Sequence, residues 1–340
     1  MKPELPPVSD TFVWDTWMTM YQVPAVAVAI DLGIFDSLDE RADSPSGLAS
    51  RRKFDERGLN ALLPMLRQMG YLLHHDGRYS LSELARHYMT KDSPFYWGGL
   101  FTRVGKTLGP YKLLLETINM ERANAEKNRP ADGWESGHVD MEMARTVTAF
   151  MHSHSVTAAN GMTRTFDFSQ TRRMLDIGGG SGCFSIALAQ LREDVHCTVM
   201  ELPTICEIAG EYIQQAGVAN RVDTVVVDMF RDKWPAGYDT HFFSNIFHDW
   251  SHQTCLDIAR SSFSALEPGG RILLHEMLLD DQGTAPSHAV VFSLLMAMGT
   301  KGQQFSFPQL KDLLTEAGFT DIAWQPSYGY YAIVSGVKPG

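Results

Sequence analysis

The sequence predicts an α/β fold in which a mostly parallel, doubly wound sheet follows an all-helical, winged-helix-like amino-terminal region. From about residue 166 onward, short apolar runs alternate with helical patterns, as in sheets built from βαβ units. Before residue 95, the patterns follow the order helix, helix, hairpin. We therefore expect a winged-helix-like domain over residues 1–95, a helical connector over 96–165 and a Rossmann-like α/β domain over 166–340.

The amino-terminal region supplies the helices and the hairpin of that pattern. Thr11–Leu38 predicts helical structure with breaks at Pro24 and Gly33, and the apolar repeat in Gly58–Met69 predicts a further helix. In Tyr71–Leu81, the Asp-Gly pair predicts the tight turn of a β-hairpin.

Charge and composition exclude several classes of partner. The chain has a formal net charge of −11, and the candidate recognition helix of the winged helix carries Arg57, Asn60 and Arg67 among many apolar residues. This balance argues against nucleic acid. The sequence contains no charged-then-apolar leader and no run of 18 apolar residues, so we expect a cytoplasmic protein without a membrane partner. Its four cysteines lack metal or redox spacing and are expected to be reduced.

A strand that ends in a glycine-rich turn, Met174–Cys183, is the most informative segment. Gly178, Gly180 and Gly182 let the backbone approach a ligand closely. The sixth place of the dinucleotide fingerprint is a cysteine here, and no lysine follows as in a phosphate-binding P-loop. Asp176, just before the glycines, suits a ligand that carries an amino group.

Acidic residues end the next two predicted strands. Glu201, followed by Leu202, lies where a carboxylate accepts hydrogen bonds from both hydroxyls of a ribose. Asp228 is suited to accept the exocyclic amine of adenine, and Met229 to pack on the ring. A nucleoside without phosphates, joined to an amino acid, is S-adenosylmethionine.

Together these motifs resemble the small-molecule O-methyltransferases of the caffeate and hydroxyindole type, in their bacterial secondary-metabolism form. The resemblance implies S-adenosylmethionine as methyl donor, S-adenosylhomocysteine as product, and a homodimer formed through the amino-terminal domain. It runs nearly end to end and includes Ala29–Asp36, Phe150–Ser155, Glu201–Pro203, Asp228–Phe230, His248–Trp250, Leu266–Gly270 and Glu276.

Methyl transfer to a hydroxyl requires a base, and His248 follows the fourth strand of the predicted sheet. Glu276 ends the neighbouring fifth strand, so the two side chains are expected to emerge together, with the carboxylate orienting the imidazole. Asp249 is expected either to shape the junction between cofactor and base or to cap the helix that begins near Ser251.

The resemblance also implies binding residues on the helices. Ser155 corresponds to a family residue that bonds the amino-acid end of the cofactor, and Met151 and His154 are implied to line the acceptor pocket. We expect a flat aromatic acceptor, because the candidate lining is apolar and Arg103 is the one obvious partner for an anionic group. The other candidate lining residues are Phe101, Phe247, Phe292 and Met296.

Two departures from the family pattern concern the site. Family members usually carry a second glutamate beside the base, after the helix that covers the acceptor. That carboxylate is absent here, and the nearby Gln304 cannot stabilise an imidazolium by charge. A lysine that often precedes the base is here Ser244, so adenine contact at this position is expected to come from the backbone.

Three alternatives stay open at this point. Carbon methylation of a 2-oxo acid or a phenol ring uses the same fold. His152, His154, His248 and His288 invite a metal, although no pair among these four has the i, i+4 spacing of helical ligands, and we expect no metal. A protein that binds S-adenosylmethionine without transferring methyl is the second. A nicotinamide oxidoreductase is the third, and the cysteine at position 183 disfavours it.

Overall fold

The structure is a computed structural model that describes residues 5–93, 95–119, 134 and 136–340. The chain folds into two compact units. One consists of Met1–Thr11, Pro130–Leu278 and Phe305–Gly340, and the other of Phe12–Arg129 and Leu279–Gln304. The predicted boundaries at residues 95 and 165 stay a prediction. Part of the predicted connector, residues 120–133 and 135, lies outside the described residues.

The second unit is mostly helical and contains the predicted order of helix, helix and hairpin. Its elements are α1 (Thr11–Met18), α2 (Gln22–Asp31), α3 (Ile34–Glu40), α4 (Pro45–Arg52), α5 (Glu56–Gln68), β1 (Leu72–His75), β2 (Arg78–Leu81), α6 (Glu83–Tyr88), α7 (Gly98–Gly105), α8 (Gly109–Ile118) and, from later in the chain, α13 (Ser287–Gly299).

The predicted helix break at Gly33 is confirmed, whereas the break at Pro24 is wrong. Gly33 has a φ of +65° and precedes α3. The chain is instead interrupted by a 3₁₀ turn at Thr19–Tyr21. Pro24 lies in the first turn of α2, where a backbone N–H would have no partner within the helix, so its ring is tolerated.

The hairpin and its turn are confirmed. Strands β1 and β2 pair antiparallel, with Leu72 opposite Leu81. Asp76 and Gly77 both have positive φ angles, 47° and 72°, as a two-residue type I′ turn requires.

Two arginines of the candidate recognition helix bind backbone within their own unit. Arg57 donates to the carbonyls of Ala297 and Thr300, at 2.7 and 3.0 Å, at the carboxyl end of α13. Arg67 donates to the carbonyl of Thr284 at 3.3 Å. Carbonyls at a helix end lack partners within the helix, so guanidinium donors stabilise them. These arginines therefore hold the 284–300 segment in place.

Replacing Gly105 with alanine is expected to lower the free energy of unfolding by about 1–3 kcal/mol through overpacking. A Cβ atom at Gly105 in α7 would overlap the Cβ of Ala27 in α2. Gly99 in the same helix is the matched control, because a Cβ there meets nothing within 4 Å, and alanine is expected to be neutral or to stabilise by up to about 1 kcal/mol. Urea titration of both variants measures the difference, and equal midpoints would contradict the packing argument.

The first unit is built on the predicted sheet. Strands β3 to β7 are mutually parallel and β9 runs antiparallel between β7 and β8, so that the order is β5-β4-β3-β6-β7-β9-β8. This confirms the doubly wound, mostly parallel fold. The elements are α9 (Met141–Thr165), β3 (Arg173–Ile177), α10 (Cys183–Leu191), β4 (His196–Glu201), α11 (Pro203–Ala216), β5 (Val222–Val226), β6 (Thr240–Ser244), α12 (His252–Ala265), β7 (Arg271–Glu276), α14 (Phe307–Glu316), β8 (Thr320–Pro326) and β9 (Ala332–Val337).

The centre of the sheet is apolar and buried, which fixes where its strand ends lie. Phe242 and Phe243 of β6 and Leu273 and Leu274 of β7 are fully buried. Strands buried on both faces read as continuous apolar runs, and these runs predicted the sheet from sequence.

Among the described residues, no single helix combines the length and the apolar character needed to cross a membrane, although the bent pair Thr11–Asp31 and Ile34–Glu40 meets both criteria together.

Candidate active site

The candidate site lies at the carboxyl ends of the central strands. Strand β3 lies between β4 and β6, so successive connections leave it in opposite directions. Ligands of open α/β sheets bind at such a switch point, beyond the carboxyl ends of the strands. Glu201, Ser244 and Glu276 are the last residues of β4, β6 and β7. The sheet therefore brings these predicted site residues to one edge.

The glycines of the loop after β3 are required by backbone conformation and by packing. Gly178, Gly180 and Gly182 have φ angles of 66°, 56° and 72°, which disfavour any side chain. A Cβ at Gly178 would collide with the side chain of Ile246, and one at Gly182 would lie 3.0 Å from Val199. A Cβ at Gly180 would meet nothing within 4 Å. The positive φ angle at Gly180 already favours glycine there, so close approach of a ligand stays a prediction for all three positions.

Asp176 is buried beneath the glycine loop and is engaged by the protein. Its Oδ2 accepts a hydrogen bond of 2.7 Å from the hydroxyl of Ser185 in α10. Burial raises the pKa of Asp176 to about 6, against the opposing effect of that bond. The carboxyl group of Asp176 thus links the end of β3 to Ser185 of α10, next to the glycine loop. Its predicted contact with the amino group of the cofactor stays a prediction.

Glu201 joins the end of β4 to the glycine loop. Its Oε1 accepts the N–H of Gly180 at 3.2 Å and its Oε2 accepts the N–H of Leu202 at 2.9 Å. Burial raises the pKa of Glu201 to about 7, although both backbone donors favour the ionised form. This carboxyl group is therefore poised to change its protonation when a hydrogen-bond donor binds beside it.

Asp228 and Met229 lie just beyond β5, in a turn that their own side chains and backbone stabilise. Oδ1 of Asp228 accepts the N–H of Phe230 at 2.9 Å, and Oδ2 forms an ion pair with Arg231. The carbonyl of Met229 accepts a bond of 3.0 Å from the indole of Trp234. The turn is thereby fixed, and its contact with adenine stays a prediction.

His248 and Glu276 meet as their spacing predicts. His248 lies in the 3₁₀ turn Phe247–Asp249 that follows β6, and its Nδ1 is 2.7 Å from Oε2 of Glu276. Both side chains are 3% exposed. Because an ionised carboxylate only accepts, Nδ1 carries the proton and Nε2 carries the lone pair of the neutral ring. The pair has the geometry of an oriented base.

The charges around His248 set its proton affinity. Burial alone lowers the pKa of His248, but the charge and hydrogen bond of Glu276, together with the charge of Asp249, raise it above the ordinary 6.5. Oδ1 of Asp249 lies 3.8 Å from Nε2 of His248. Burial raises the pKa of Asp249 itself to about 6. The alternative prediction that Asp249 caps the next helix is wrong, because the hydroxyl of Ser251 accepts the N–H of Thr254 as that cap.

Helix α9 carries the predicted residues Met151, His154 and Ser155. Ser155 is buried, with its hydroxyl 3.5 Å from Nδ1 of His154. Burial, with the charge of His248 adding to it, lowers the pKa of His154 to about 4, so this ring is neutral at physiological pH. Met151 is half-buried. Within the part of the chain that the structure describes, no group of three or more His, Cys, Asp or Glu side chains is placed to hold a metal ion.

The acceptor candidates are spread over both units. Phe247 is fully buried and packs edge-on against Phe243, a placement that favours a role in the core over contact with a substrate. In the helical unit, Phe292 of α13 is buried, while Phe101 and Met296 are half-buried and Arg103 is exposed. Gln304 is buried in that unit, and its backbone N–H donates to the hydroxyl of Ser293 at 3.3 Å.

Sequence reasoning missed several contacts at these sites. His152 binds Ser181 of the glycine loop, with 2.8 Å between Nδ1 and Oγ. Phe292 packs against Trp14 and Trp17 of α1, with ring centroids 6.0 and 6.3 Å apart. No sequence signal links residues so far apart along the chain, whereas Ser185, one turn into the helix after the glycines, was recognisable by position.

Comparison with known proteins agrees with this arrangement. A curated relative, the 3-hydroxy-5-methyl-1-naphthoate 3-O-methyltransferase of Streptomyces sahachiroi, is 30% identical over 96% of this chain and 95% of its own. An L-tyrosine C(3)-methyltransferase of Streptomyces lavendulae is 26% identical over 87% and 83%. A solved O-methyltransferase family 2 protein of Planctomyces limnophilus, in complex with apigenin, superposes with a TM-score of 0.85 at 24% identity, covering 98% of both chains.

Two family models together account for most of the chain. The model described as an O-methyltransferase dimerisation domain matches residues 14–91, and the one described as an O-methyltransferase domain matches residues 111–320. The chain therefore belongs to the small-molecule O-methyltransferase family and is an S-adenosylmethionine-dependent O-methyltransferase.

Proposed function

We propose that His248 is the general base that removes the proton of an aromatic hydroxyl while that oxygen accepts the methyl group. The observation that carries this proposal is the buried pair of His248 and Glu276, 2.7 Å apart, at the switch point of the sheet. The carboxylate holds the proton on Nδ1, so Nε2 takes up the hydroxyl proton.

The proton affinities favour transfer of the proton in concert with the methyl group. A phenol has a pKa near 10, and an ordinary histidine near 6.5, so complete prior deprotonation would cost about 4–5 kcal/mol. The raised pKa of His248 reduces the difference between the pKa of the phenol and that of the base. Glu276 then stabilises the imidazolium that forms, because the carboxylate lies against it and solvent is excluded.

The residues at the sheet edge fit S-adenosylmethionine, which supplies an electrophilic methyl group when bound. The open space at Gly180 and the buried carboxyl group of Glu201 are the observations that support this fit. We assign the ribose hydroxyls to Glu201, with Leu202 beside it. The chemistry of the sequence pattern assigns Asp176 to the amino group of the cofactor, the backbone of Gly178 and Gly182 to close contact with it, and Asp228 and Met229 to adenine. The family resemblance adds Ser155 at the amino-acid end and the backbone of Ser244 at adenine.

Binding of S-adenosylhomocysteine is expected to tighten as the pH rises from 6 to 8. The pKa of Glu201 is about 7 in the ligand-free protein, and ribose hydroxyls donate to the ionised form, so affinity falls as the pH drops through that value. Glu201→Gln is expected to weaken binding about 10- to 100-fold and to flatten this part of the pH dependence. Glu207→Gln, on the exposed face of α11, is the matched control. Calorimetry measures both, and an unchanged pH dependence in Glu201→Gln would contradict the assignment.

We infer that the acceptor is a flat aromatic hydroxyl compound. In the helical unit, Phe292 with its neighbouring Trp14 and Trp17, together with Phe101 and Met296, supplies apolar and aromatic surface. In the sheet unit, the candidate contacts are Met151 and His154 of α9. The naphthoate acceptor named for the relative from Streptomyces sahachiroi belongs to this class of compound.

Carbon methylation of a phenol ring is the second candidate, because a relative of comparable coverage is named as an L-tyrosine C(3)-methyltransferase. Transfer of labelled methyl to a panel of phenols, hydroxynaphthoates, hydroxyquinones and 2-oxo acids separates the two. A product whose label is released by ether cleavage supports oxygen methylation, whereas label retained on carbon supports the alternative. Activity that disappears with a chelator would favour a metal-assisted reaction.

The dimerisation-domain match supports a homodimer that forms through the amino-terminal helices. Phe12 and Val13 of α1 expose most of their apolar side chains, as an interface with a second subunit requires. The small-molecule cofactor suits the expected cytoplasmic location, and neither nucleic acid nor membrane enters the proposed reaction.

A further inference from the structure

The turn that connects β6 to the base contains one residue in an unusual conformation. Asn245 has a φ of 57° and is 4% exposed. Left-handed backbone is costly for residues with a side chain, although asparagine tolerates it better than most. Such a conformation persists where the surrounding structure holds it, and it is common beside active sites.

The turn after β6 carries both His248 and the backbone N–H groups that bind Glu276. The N–H of Asn245 donates to the carbonyl of His275 at 3.2 Å. The next two backbone N–H groups, of Ile246 and Phe247, donate to Oε1 of Glu276 at 3.2 and 3.1 Å. Oε2 of the same carboxylate binds His248. The conformation at Asn245 therefore decides where Glu276 and His248 meet.

Tyr331 holds the side chain of Asn245 from the antiparallel side of the sheet. Nδ2 of Asn245 donates to the hydroxyl of Tyr331 at 3.1 Å. Tyr331 is 4% exposed and directly precedes β9, and its ring is stacked on that of His275, with centroids 4.5 Å apart and planes at 7°. His275 in turn lies 3.0 Å from the hydroxyl of Ser244 through Nδ1. Buried contacts thus fasten the turn to two other strands of the sheet.

We propose that Asn245 and Tyr331 are positioning residues for methyl transfer, because their hydrogen bond fixes the turn that aligns Glu276 with the base His248. The inference rests on the proposed function, in which His248 takes the proton. Neither residue is assigned contact with the cofactor or the acceptor. Their effect passes through the backbone donors of residues 246 and 247 to the carboxylate, and from the carboxylate to the imidazole.

Tyr331→Phe tests the hydroxyl while keeping the stacked ring. We expect kcat to fall about five- to tenfold, the effect of one buried hydrogen bond, while S-adenosylhomocysteine binds within about twofold of the parent. Among the described residues, the charged or titratable groups that act on His248 include Glu276, Asp249 and His154. A loosened Glu276 raises the pKa of His248 less, so the acid limb of the kcat/KM profile is expected to move to lower pH. A merely structural role would lower the melting temperature without this movement.

Two variants of Asn245 separate its backbone from its side chain. Asn245→Gly keeps the left-handed conformation and loses the bond to Tyr331, so we expect it to match Tyr331→Phe in kcat and pH profile. The double variant is expected to be no worse than either single one, because both remove the same bond. Tyr238→Phe, a buried tyrosine that precedes the opposite end of β6, is the control and is expected to behave like the parent.

The outcomes distinguish the positioning role of Asn245 and Tyr331 from the proposed role of His248 as general base. Parent-like kcat and pH profile in Tyr331→Phe, beside an inactive His248→Ala, would overturn the inference and leave the base in place. Parent-like activity of Asn245→Gly would mean that Asn245 acts only through its backbone, and it would overturn the role assigned to its bond with Tyr331. Losses that multiply in the double variant would mean that the two side chains act independently, which would also overturn that role. Full activity of His248→Ala would overturn both.

Discussion

Replacing His248 with alanine is expected to lower kcat for methyl transfer by about 10²- to 10⁴-fold, the range that a positioned general base contributes. Most residues assigned to the cofactor belong to or follow β3, β4 and β5, and Ser244 of β6 is assigned through its backbone alone, so binding of S-adenosylhomocysteine is expected to change little. KM for the acceptor is also expected to change less than kcat, because the base acts on the proton in the transition state. Single-turnover measurement with labelled methyl donor isolates this step.

His252→Ala is the matched control, since this exposed histidine lies one turn further along the chain, at the start of α12. We expect it to retain the activity of the parent. The side chain of His248 is buried, so its removal also leaves a cavity, and His248→Gln provides a variant that fills more of this space. Retention of more than about a tenth of the parent kcat in both His248 variants, with cofactor binding intact, would contradict its role as the base.

Sequence alone predicted the parts of the site that depend on the carboxyl ends of parallel strands. Glu201, Ser244 and Glu276 end strands whose apolar runs are continuous, because both faces of these strands are buried. Neighbouring parallel strands end at one edge, so the meeting of His248 and Glu276 followed from pattern and topology. The family resemblance then supplied the roles.

Contacts made between distant elements were not predictable in the same way. The hydrogen bond between Asn245 and Tyr331 depends on β9 inserting antiparallel between β7 and β8, an order that no local pattern specifies. The position of Pro24 was misjudged because its effect depends on where a helix begins, and helix ends are weakly encoded. The sequence pattern attributes the glycines at 178 and 182 to a ligand, whereas their positive φ angles already favour glycine without one.

The acceptor is the least predictable part of the molecule, for a physical reason. Aromatic and apolar residues such as Phe247 and Phe292 carry the same sequence signal whether they fill a core or line a pocket. Only packing separates the two: Phe247 belongs to the buried cluster around Phe243, whereas Phe292 packs with Trp14 and Trp17 of α1. Binding of candidate acceptors must therefore be measured.

Replacing Glu276 with glutamine is expected to reduce kcat by about 10²- to 10⁴-fold, although the side chain keeps its shape. In the parent, Oε1 accepts from the N–H groups of Ile246 and Phe247, and Oε2 accepts from Nδ1 of His248. An amide has one oxygen and one NH₂ group, so it cannot accept on both sides. In one orientation of the amide, its NH₂ group faces the N–H groups of residues 246 and 247, which lose their acceptor. In the other, the NH₂ group faces Nδ1 of His248 and favours the tautomer with the proton on Nε2, so that Nε2 can no longer accept the hydroxyl proton.

The pH dependence separates this electrostatic role from simple damage to the fold. The charge of Glu276 raises the pKa of His248 against the effect of burial, and a base must be neutral to act, so kcat/KM of the parent rises with pH through a value above 6.5. Without the carboxylate the pKa of His248 falls, and the acid limb of the profile should move to lower pH while the plateau drops. Glu316→Gln, which removes an exposed carboxylate paired with Arg260, is the control and should leave the profile unchanged. A lower plateau with an unmoved acid limb would mean that Glu276 positions the chain without setting the proton affinity of the base.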